Sequence, residues 1–192
     1  METIQFENKL SYLAQDNRIL KNILTIVFGS LLLAISAQIT IPLQPVPVTL
    51  QSFAVLFIGM AVGPNMGSKI ILAYLFEGIC GVPVFSNFTW GIAKLLGPTG
   101  GYLLGFIPAI ILTGSLLQTG WVGHRLTIFL AALLGTIVFF IPGYIVLAKF
   151  VGFHNAYQLG VMPFYIFETV KLVSLTFITP FFWRKKTQYD RI

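Results

Sequence analysis

The chain has 192 residues, of which 56% are apolar and only 9% are charged. Soluble globular domains carry about 25% charged residues, so this composition excludes a soluble fold and indicates an integral membrane protein. The formal net charge of +6 does not indicate nucleic-acid binding, because the basic residues cluster at the two ends of the chain, as is typical of the cytoplasmic side of a membrane protein.

The first 19 residues are predicted to form a polar cytoplasmic tail. They carry charges throughout and lack the short apolar region and the small-residue cleavage site of a signal peptide. An amphipathic helix at the membrane surface is one form that such a tail takes. Its apolar side would consist of Phe6, Leu10, Tyr12 and Leu13.

Six hydrophobic segments follow this tail, and a spanning helix needs about 20 residues. The segments are residues 20–40, 48–63, 67–82, 98–118, 126–150 and 160–183, the third being short. The sequence therefore predicts an all-α integral membrane protein. Residues 20–183 form its six-helix membrane domain, and residues 184–192 form a basic cytoplasmic tail.

Lysines and arginines in the connections predict the orientation of these segments. Lys69 and Arg125 fall on the same side as the two basic ends of the chain, whereas the opposite side has only Lys94 and Lys149. Both termini are therefore predicted to be cytoplasmic. The connections after the first, third and fifth segments then lie on the outer side.

Two opposite charges stand inside the sixth segment, in "PFYIFETVKLVSL". Glu168 and Lys171 are three residues apart, which puts both on one helical face. A charge at the centre of a spanning helix costs about 2.5–3.5 kcal/mol and so indicates a function. The alternative is an internal ion pair, although such a pair stabilises a fold only weakly. We predict a ligand site with one acceptor and one donor.

Predictions can also be made for the positions of Glu77, Lys94 and Cys80. Glu77 either faces a binding cavity or lies near a membrane surface, and the sequence leaves both open. Lys94 is predicted to be a solvated loop charge. Cys80 is predicted to pack within an apolar run; as the single cysteine, it excludes an intrachain disulfide and a cysteine-based metal cluster.

The first connection contains "QPVPVTLQ", with prolines in alternation. Proline fixes φ and removes a backbone donor, which favours an extended chain. A strand-like loop over a cavity would present Thr49 and Gln51 inward. The alternative is a stiff connector.

The stretch "LLGPTGGYLLGF" combines glycines and a proline inside a hydrophobic run. Proline suits the first turn of a helix, so the stretch is predicted to begin an outer-side helix. The free N–H groups around Thr99 and Gly100 would then point into a pocket. Glycines spaced by four residues also permit close packing of membrane helices. That spacing is shown by Gly97, Gly101 and Gly105.

Several motifs together resemble the BioY family, the biotin-specific substrate-binding (S) components of energy-coupling factor (ECF) transporters. The motifs are "PVPVTLQ", "GICGVPVF", "GPTGGYLLGF" and "PFYIFETVK". The resemblance covers residues 30–180 and implies a six-helix protein of the prokaryotic cell membrane with cytoplasmic termini. It also implies high-affinity biotin binding near the outer face. In the family the acidic position of the last motif is usually aspartate, whereas this chain has Glu168.

The resemblance implies roles for the candidate residues. Glu168 would accept from the ureido N–H groups of biotin, and Lys171 would donate to the ureido carbonyl. The backbone around Thr99 and Gly100 would bind an oxygen. Further polar candidates and aromatic walls of the site are Asn87, Thr49, Gln51, Phe85, Trp90 and Tyr102.

The resemblance also implies partners, namely a transmembrane coupling protein and two ATPase subunits. Small residues on the first helix would dock on the coupling protein, as small residues permit close helix contact. These are Ser30, Ala34 and Ala37. The alternative is that they pack within the bundle.

Three other functions compete with biotin capture. The chain would be an S component for another vitamin, an intramembrane enzyme using Glu77, Glu168 or His154, or a structural membrane subunit. No nucleophile–base pair and no ATP-binding motif is visible in the sequence. We therefore expect no enzymatic activity, no cofactor and no metal, with biotin, membrane lipid and the ECF subunits as partners.

Overall fold

The computed structural model of the chain describes the backbone of residues 2–120 and 124–189, and the side chains of residues 17–120 and 124–182. Most of this part is helical, as the composition predicts. The elements are α1 (Glu2–Gln38), β1 (Thr40–Ile41), β2 (Val48–Thr49), α2 (Gln51–Val62), α3 (Pro64–Ile79), a 3₁₀ turn (Ser86–Phe88), α4 (Ile92–Leu96), α5 (Gly100–Gln118), α6 (Arg125–Val151), α7 (Phe153–Gly160) and α8 (Phe164–Tyr189).

Four helical stretches in the described part are long and apolar enough to cross a membrane. They are Asn17–Gln38, Gly100–Gln118, Arg125–Val151 and Phe164–Phe182. The helices at the second and third predicted segments, α2 and α3, have only 12 and 16 residues. At 1.5 Å per residue they are about 18 and 24 Å long, less than the ~30 Å bilayer core. Of the six predicted segments, four therefore contain helices long enough to cross a membrane, and the second and third contain the shorter helices α2 and α3.

The break between α2 and α3 has a local cause. Gly63 has φ +83°, a conformation that glycine adopts without steric cost. Pro64 follows it and lacks the N–H that would continue α2. The sequence predicted this boundary correctly.

The helices at the two ends of the chain run through the predicted boundaries between tails and membrane domain. Helix α1 is continuous from Glu2 to Gln38, so no break separates residues 1–19 from the first hydrophobic segment. Helix α8 likewise continues to Tyr189, beyond the predicted end at 183. The predicted apolar side of the N-terminal tail and the basic side chains of residues 184–192 lie outside the described side chains.

Helices α5 and α6 form the most extensive helix pair of the bundle, and two glycines of α5 permit it. A Cβ at Gly105 would lie 2.8 Å from both the Cα and the carbonyl oxygen of Phe139 on α6. A Cβ at Gly101 would collide with the carbonyl of Pro142. The predicted stripe therefore holds for these two glycines, whereas Gly97 lies in extended backbone before α5.

Two outer-side connections of the predicted topology lie together at one end of the bundle. In the first, Thr40 pairs with Thr49 and Ile41 with Val48 in an antiparallel hairpin, so the predicted extended conformation is present. The connection between α3 and α5 contains the 3₁₀ turn and α4. Gln38, at the end of α1, binds this second connection: its Nε2 donates to the Phe85 carbonyl at 3.1 Å, and its Oε1 accepts from the Phe88 N–H at 3.0 Å.

The small residues of α1 face the bundle. Ser30 is 3% exposed and Ala37 is fully buried, while Ala34 packs against the core. Their burial favours the alternative that they pack within the bundle. The surface of α1 is formed by large apolar residues instead, namely Ile23, Leu24, Val27, Phe28, Leu31 and Ile35.

The close approach of α5 and α6 predicts the effect of adding one methyl group. Replacing Gly105 by alanine overpacks the interface, which costs about 1–3 kcal/mol against about 1 kcal/mol gained in helix propensity. We expect Gly105→Ala to lower the thermal unfolding midpoint in detergent. Leu104→Ala, at a neighbouring residue that is 49% exposed, is the control and should shift the midpoint less. A higher midpoint for Gly105→Ala than for the wild type would contradict this packing.

Candidate ligand-binding site

A pocket lies where the two connections meet helices α2, α5, α6 and α8. Its polar lining comes from Thr49, Gln51, Ser52, Ser86, Lys94, Thr99 and Glu168. Its apolar lining comes from Val46, Pro47, Phe85, Tyr102, Leu103, Phe106, Phe139 and Phe164. An apolar cleft with a few convergent polar groups is the usual form of a small-molecule site.

A buried hydrogen-bond network fixes one wall of this pocket. The Lys171 ammonium donates to Glu168 Oε1 at 2.6 Å, to Ser52 Oγ at 2.8 Å and to the Thr49 carbonyl at 2.7 Å. The Ser52 hydroxyl donates to Glu168 Oε1 at 2.8 Å. An ammonium has three N–H donors, and all three are used. The network therefore joins α8 to the start of α2 and to the hairpin.

Two polar atoms of the pocket walls have no partner. Among the described residues, Glu168 Oε2 and Gln51 Nε2 are buried without a hydrogen bond. Glu168 is 6% exposed and Gln51 is 3% exposed; the Gln51 amide lies beside the Tyr74 hydroxyl, which itself donates to the Val84 carbonyl. A buried polar atom left unsatisfied costs about 1–3 kcal/mol. Both side chains line the pocket, so these atoms are its candidate acceptor and candidate donor for a ligand.

Aromatic rings hold the apolar walls in place. The Tyr102 hydroxyl donates to the Gly160 carbonyl at 2.8 Å, which fixes its ring beside that of Phe164, with centroids 6.4 Å apart and planes 12° apart. On the other side, Phe85 is fully buried and meets the Tyr74 ring edge-on at 5.5 Å. Two of the predicted aromatic residues, Phe85 and Tyr102, therefore line the pocket.

Lys94 occupies a different position from the one predicted. It is half-buried on α4 and lines the pocket, rather than standing in solvent as a loop charge. Burial disfavours the charged form and lowers the pKa of the Lys94 ammonium below its usual value. The cation therefore contributes directly to the electrostatics of the pocket.

Three predicted site residues lie away from the pocket lining. Asn87 is exposed and its Oδ1 accepts from the Thr40 hydroxyl at 3.4 Å, and Trp90 is 59% exposed. Gly100 is buried, but its N–H donates to the Gly97 carbonyl at 3.0 Å and so does not point freely into the pocket. A Cβ there would collide with the Leu95 carbonyl, so this glycine permits a tight turn of the chain. Thr99, next to it, does line the pocket.

Three other residues considered in the sequence analysis also lie outside the pocket lining. Lys171 is part of the network but not of the lining. Glu77 is half-buried on α3, also outside the lining. Cys80 is exposed, so its predicted packing inside an apolar run is wrong: it follows the last residue of α3.

Ser52 and Ser86 are lining residues that the sequence analysis did not single out. Ser52 follows Gln51 at the start of an otherwise apolar α2, and two successive polar residues at such a position were a usable signal. Ser86 follows the buried Phe85 in a connection. Its inward direction depends on the 3₁₀ turn, which no motif announces.

The pocket has a cavity volume of about 50 Å³, smaller than the ~300–1,000 Å³ of typical small-molecule sites. Glu168 also borders a second cavity of about 330 Å³ between α6 and α8. That cavity is mostly apolar and contains Thr136, whose buried Oγ1 has no hydrogen bond within the described part of the chain. The concentration of polar groups favours the first pocket for a polar ligand.

The network predicts strong coupling between its two charges. Lys171→Met leaves Glu168 buried and unpaired, which costs about 3–5 kcal/mol. We expect a large fall in the thermal unfolding midpoint, with recovery of most of it in the double variant Glu168→Gln/Lys171→Met. Lys69→Met removes an exposed lysine and should change stability by at most about 0.5 kcal/mol. A double variant no more stable than Lys171→Met would contradict the coupling.

Comparison with known proteins identifies relatives that match most of the chain. A model of the BioY family matches residues 7–188. The chain is 40% identical over 147 residues to a probable biotin transporter BioY of Pyrococcus horikoshii (77% of this chain, 86% of that protein). It is 36% identical over 149 residues to a biotin transporter BioY of Thermotoga maritima (77% and 86%). The S-component for biotin from an ECF-type ABC transporter has the same fold, with a TM-score of 0.76 and 23% identity over 88% of this chain and 93% of that one. The chain belongs to the BioY family.

Proposed function

We propose that the chain is the biotin-binding S component of an ECF-type transporter in the plasma membrane of a prokaryote. The observation that carries the proposal is the pair of unpartnered buried atoms, Glu168 Oε2 and Gln51 Nε2, in one pocket of a BioY-family protein. One atom is an acceptor and the other is a donor. The ureido group of biotin offers N–H donors beside a carbonyl acceptor, which complements both.

The geometry supports a different division of roles from the one expected for the last helix. Glu168 Oε2 accepts from a ureido N–H, and Gln51 Nε2 donates to the ureido oxygen. Lys171 does not donate to the ligand, because its three N–H groups already bind Glu168, Ser52 and the Thr49 carbonyl. We assign to Lys171 the positioning of Glu168, whose Oε1 it holds.

The apolar bicycle of biotin would be buried by the rings of Phe85, Tyr102 and Phe164. Each square ångström of apolar surface that it buries contributes about 25 cal/mol. Because the cavity volume is only about 50 Å³, binding requires the walls to separate. The two connections are the segments able to do so, since connecting segments are more mobile than the helices they join.

Two observations favour capture over catalysis. The Nε2 of His154 contacts the amide of Gln158 at 3.1 Å on the surface, and Glu77 lies outside the pocket lining. Of the three residues considered for an enzyme, only Glu168 is in the pocket, and its Oε1 is engaged by Lys171 and Ser52. Energy for transport would come from a coupling protein and two ATPase subunits, as the family resemblance implies.

Replacing Gln51 should affect binding and stability in opposite directions. Gln51→Met keeps the side-chain volume and removes the donor, so biotin loses a hydrogen bond worth about 0.5–1.5 kcal/mol. We expect biotin affinity to fall by about 2- to 13-fold, as measured by calorimetric titration of the purified chain. The unfolding midpoint without biotin should stay equal or rise, because a buried unsatisfied amide is gone.

Gln118→Met is the matched control, because Gln118 is exposed at the end of α5. It should leave biotin affinity unchanged. Thiamine and riboflavin should not bind either protein, which separates biotin capture from capture of another vitamin. Unchanged biotin affinity in Gln51→Met would remove the residue from the site.

We further propose that the chain has six membrane segments with both termini cytoplasmic, α2 and α3 serving as short segments. Cys80, the single cysteine, is exposed after α3 and would face outward. A membrane-impermeant maleimide should then label it in intact cells. The double variant Cys80→Ala/Thr187→Cys should be labelled only after permeabilisation. The reverse pattern would overturn the orientation.

A further inference from the structure

Lys94 faces the pocket without an anionic partner. Within the described side chains the sequence has two carboxylates, Glu77 and Glu168. Glu168 is bound to Lys171, and no other ion pair is formed in this part of the chain. Lys94 is also the only basic residue among those that line the pocket.

The charges of the pocket therefore do not cancel. The Glu168 carboxylate and the Lys171 ammonium neutralise each other at 2.6 Å, and the remaining charge is that of Lys94. A half-buried ammonium has lost part of its hydration, and burial correspondingly lowers its pKa. A bound anion would restore the lost interactions, because buried charges are stable when they are paired.

The position of Lys94 separates it from the groups assigned to the ureido ring. Glu168 and Gln51 belong to α8 and α2, whereas Lys94 belongs to α4, which packs against α5 within the connection between α3 and α5. A ligand with polar groups at both ends would reach both sets. Biotin is such a ligand, since its ureido ring and its carboxylate lie at opposite ends of an apolar body.

We propose that Lys94 binds the carboxylate of bound biotin, so that this chain selects the free acid over neutral derivatives. This inference rests on the proposed biotin-binding function. Lys171 cannot take this role, because its donors are occupied within the protein. Lys94 thus determines specificity at one end of the ligand, and Glu168 with Gln51 does so at the other.

The test compares biotin with biotin amide, which keeps the ring and chain but has no charge. Hydrogen bonds to charged groups contribute enough to change affinity by about 10- to 150-fold. The wild-type chain should bind biotin more tightly than the amide by such a factor. Lys94→Gln should lose most of this preference, because its affinity for the acid should fall by more than its affinity for the amide.

Lys149→Gln is the matched control. Lys149 is exposed on the same predicted side of the membrane and outside the pocket. Removing its positive charge therefore measures how far a nonspecific attraction of the protein surface for anions contributes to affinity. It should retain the full preference for the acid.

Two results would overturn the assignment. In one, Lys94→Gln prefers the acid as strongly as the wild type does; in the other, it loses affinity for the acid and for the amide equally. If the wild type binds acid and amide alike, the role of Lys94 fails while biotin binding stands. If the wild type binds neither, the proposed function itself fails.

Discussion

The ion pair of Glu168 and Lys171 is the interaction on which the site depends. Two charges among apolar helices are costly, and their attraction offsets the cost only when further hydrogen bonds complete the set. Ser52 and the Thr49 carbonyl supply those bonds. The consequence is geometric: α8, the start of α2 and the hairpin are held together at one point. Because Lys171 and Ser52 bind only Oε1 of Glu168, its Oε2 is left without a hydrogen bond within the described part of the chain.

The ion pair is flanked by two different kinds of structure, a close-packed helix interface and two connecting segments. On one side, Gly101 and Gly105 bring α5 against α6 at backbone contact, and a close-packed interface of this kind has few alternative arrangements. On the other side, the two connections close the pocket. They are attached to the helices by a few hydrogen bonds, such as those of Gln38 to the segment around Phe85. Rigid walls thus fix the polar groups, and hydrogen bonds from Lys171 and Gln38 hold the two closing segments against them.

The sequence predicted the helical membrane fold because apolar runs and their charged ends are local signals. It overestimated the length of α2, which has 12 residues where the apolar run 48–63 has 16, because the hairpin takes up the start of that run. Helix α3 has the 16 residues predicted for the short third segment. Glu168 was found because a charge inside an apolar helix is conspicuous. The role of Lys171 was not, because counting its occupied donors requires tertiary neighbours. Asn87 and Trp90 lie outside the pocket lining for a related reason: the polarity or aromaticity of a loop residue does not give the direction of its side chain.

The short α3 has a consequence for the surrounding lipid. At 1.5 Å per residue, the 16 residues of α3 and the 27 of α6 differ in length by about 16 Å. Both helices expose apolar side chains, including Leu72 and Phe76 on α3 and Ile141 and Ile145 on α6. With α3 as one of the proposed membrane segments, a bilayer of uniform thickness would not match both faces and would thin beside α3 or let the bundle lean, at a cost of fractions of a kcal/mol per ångström. The resting tilt of the protein would then depend partly on membrane thickness, and lipids of different chain length would change it.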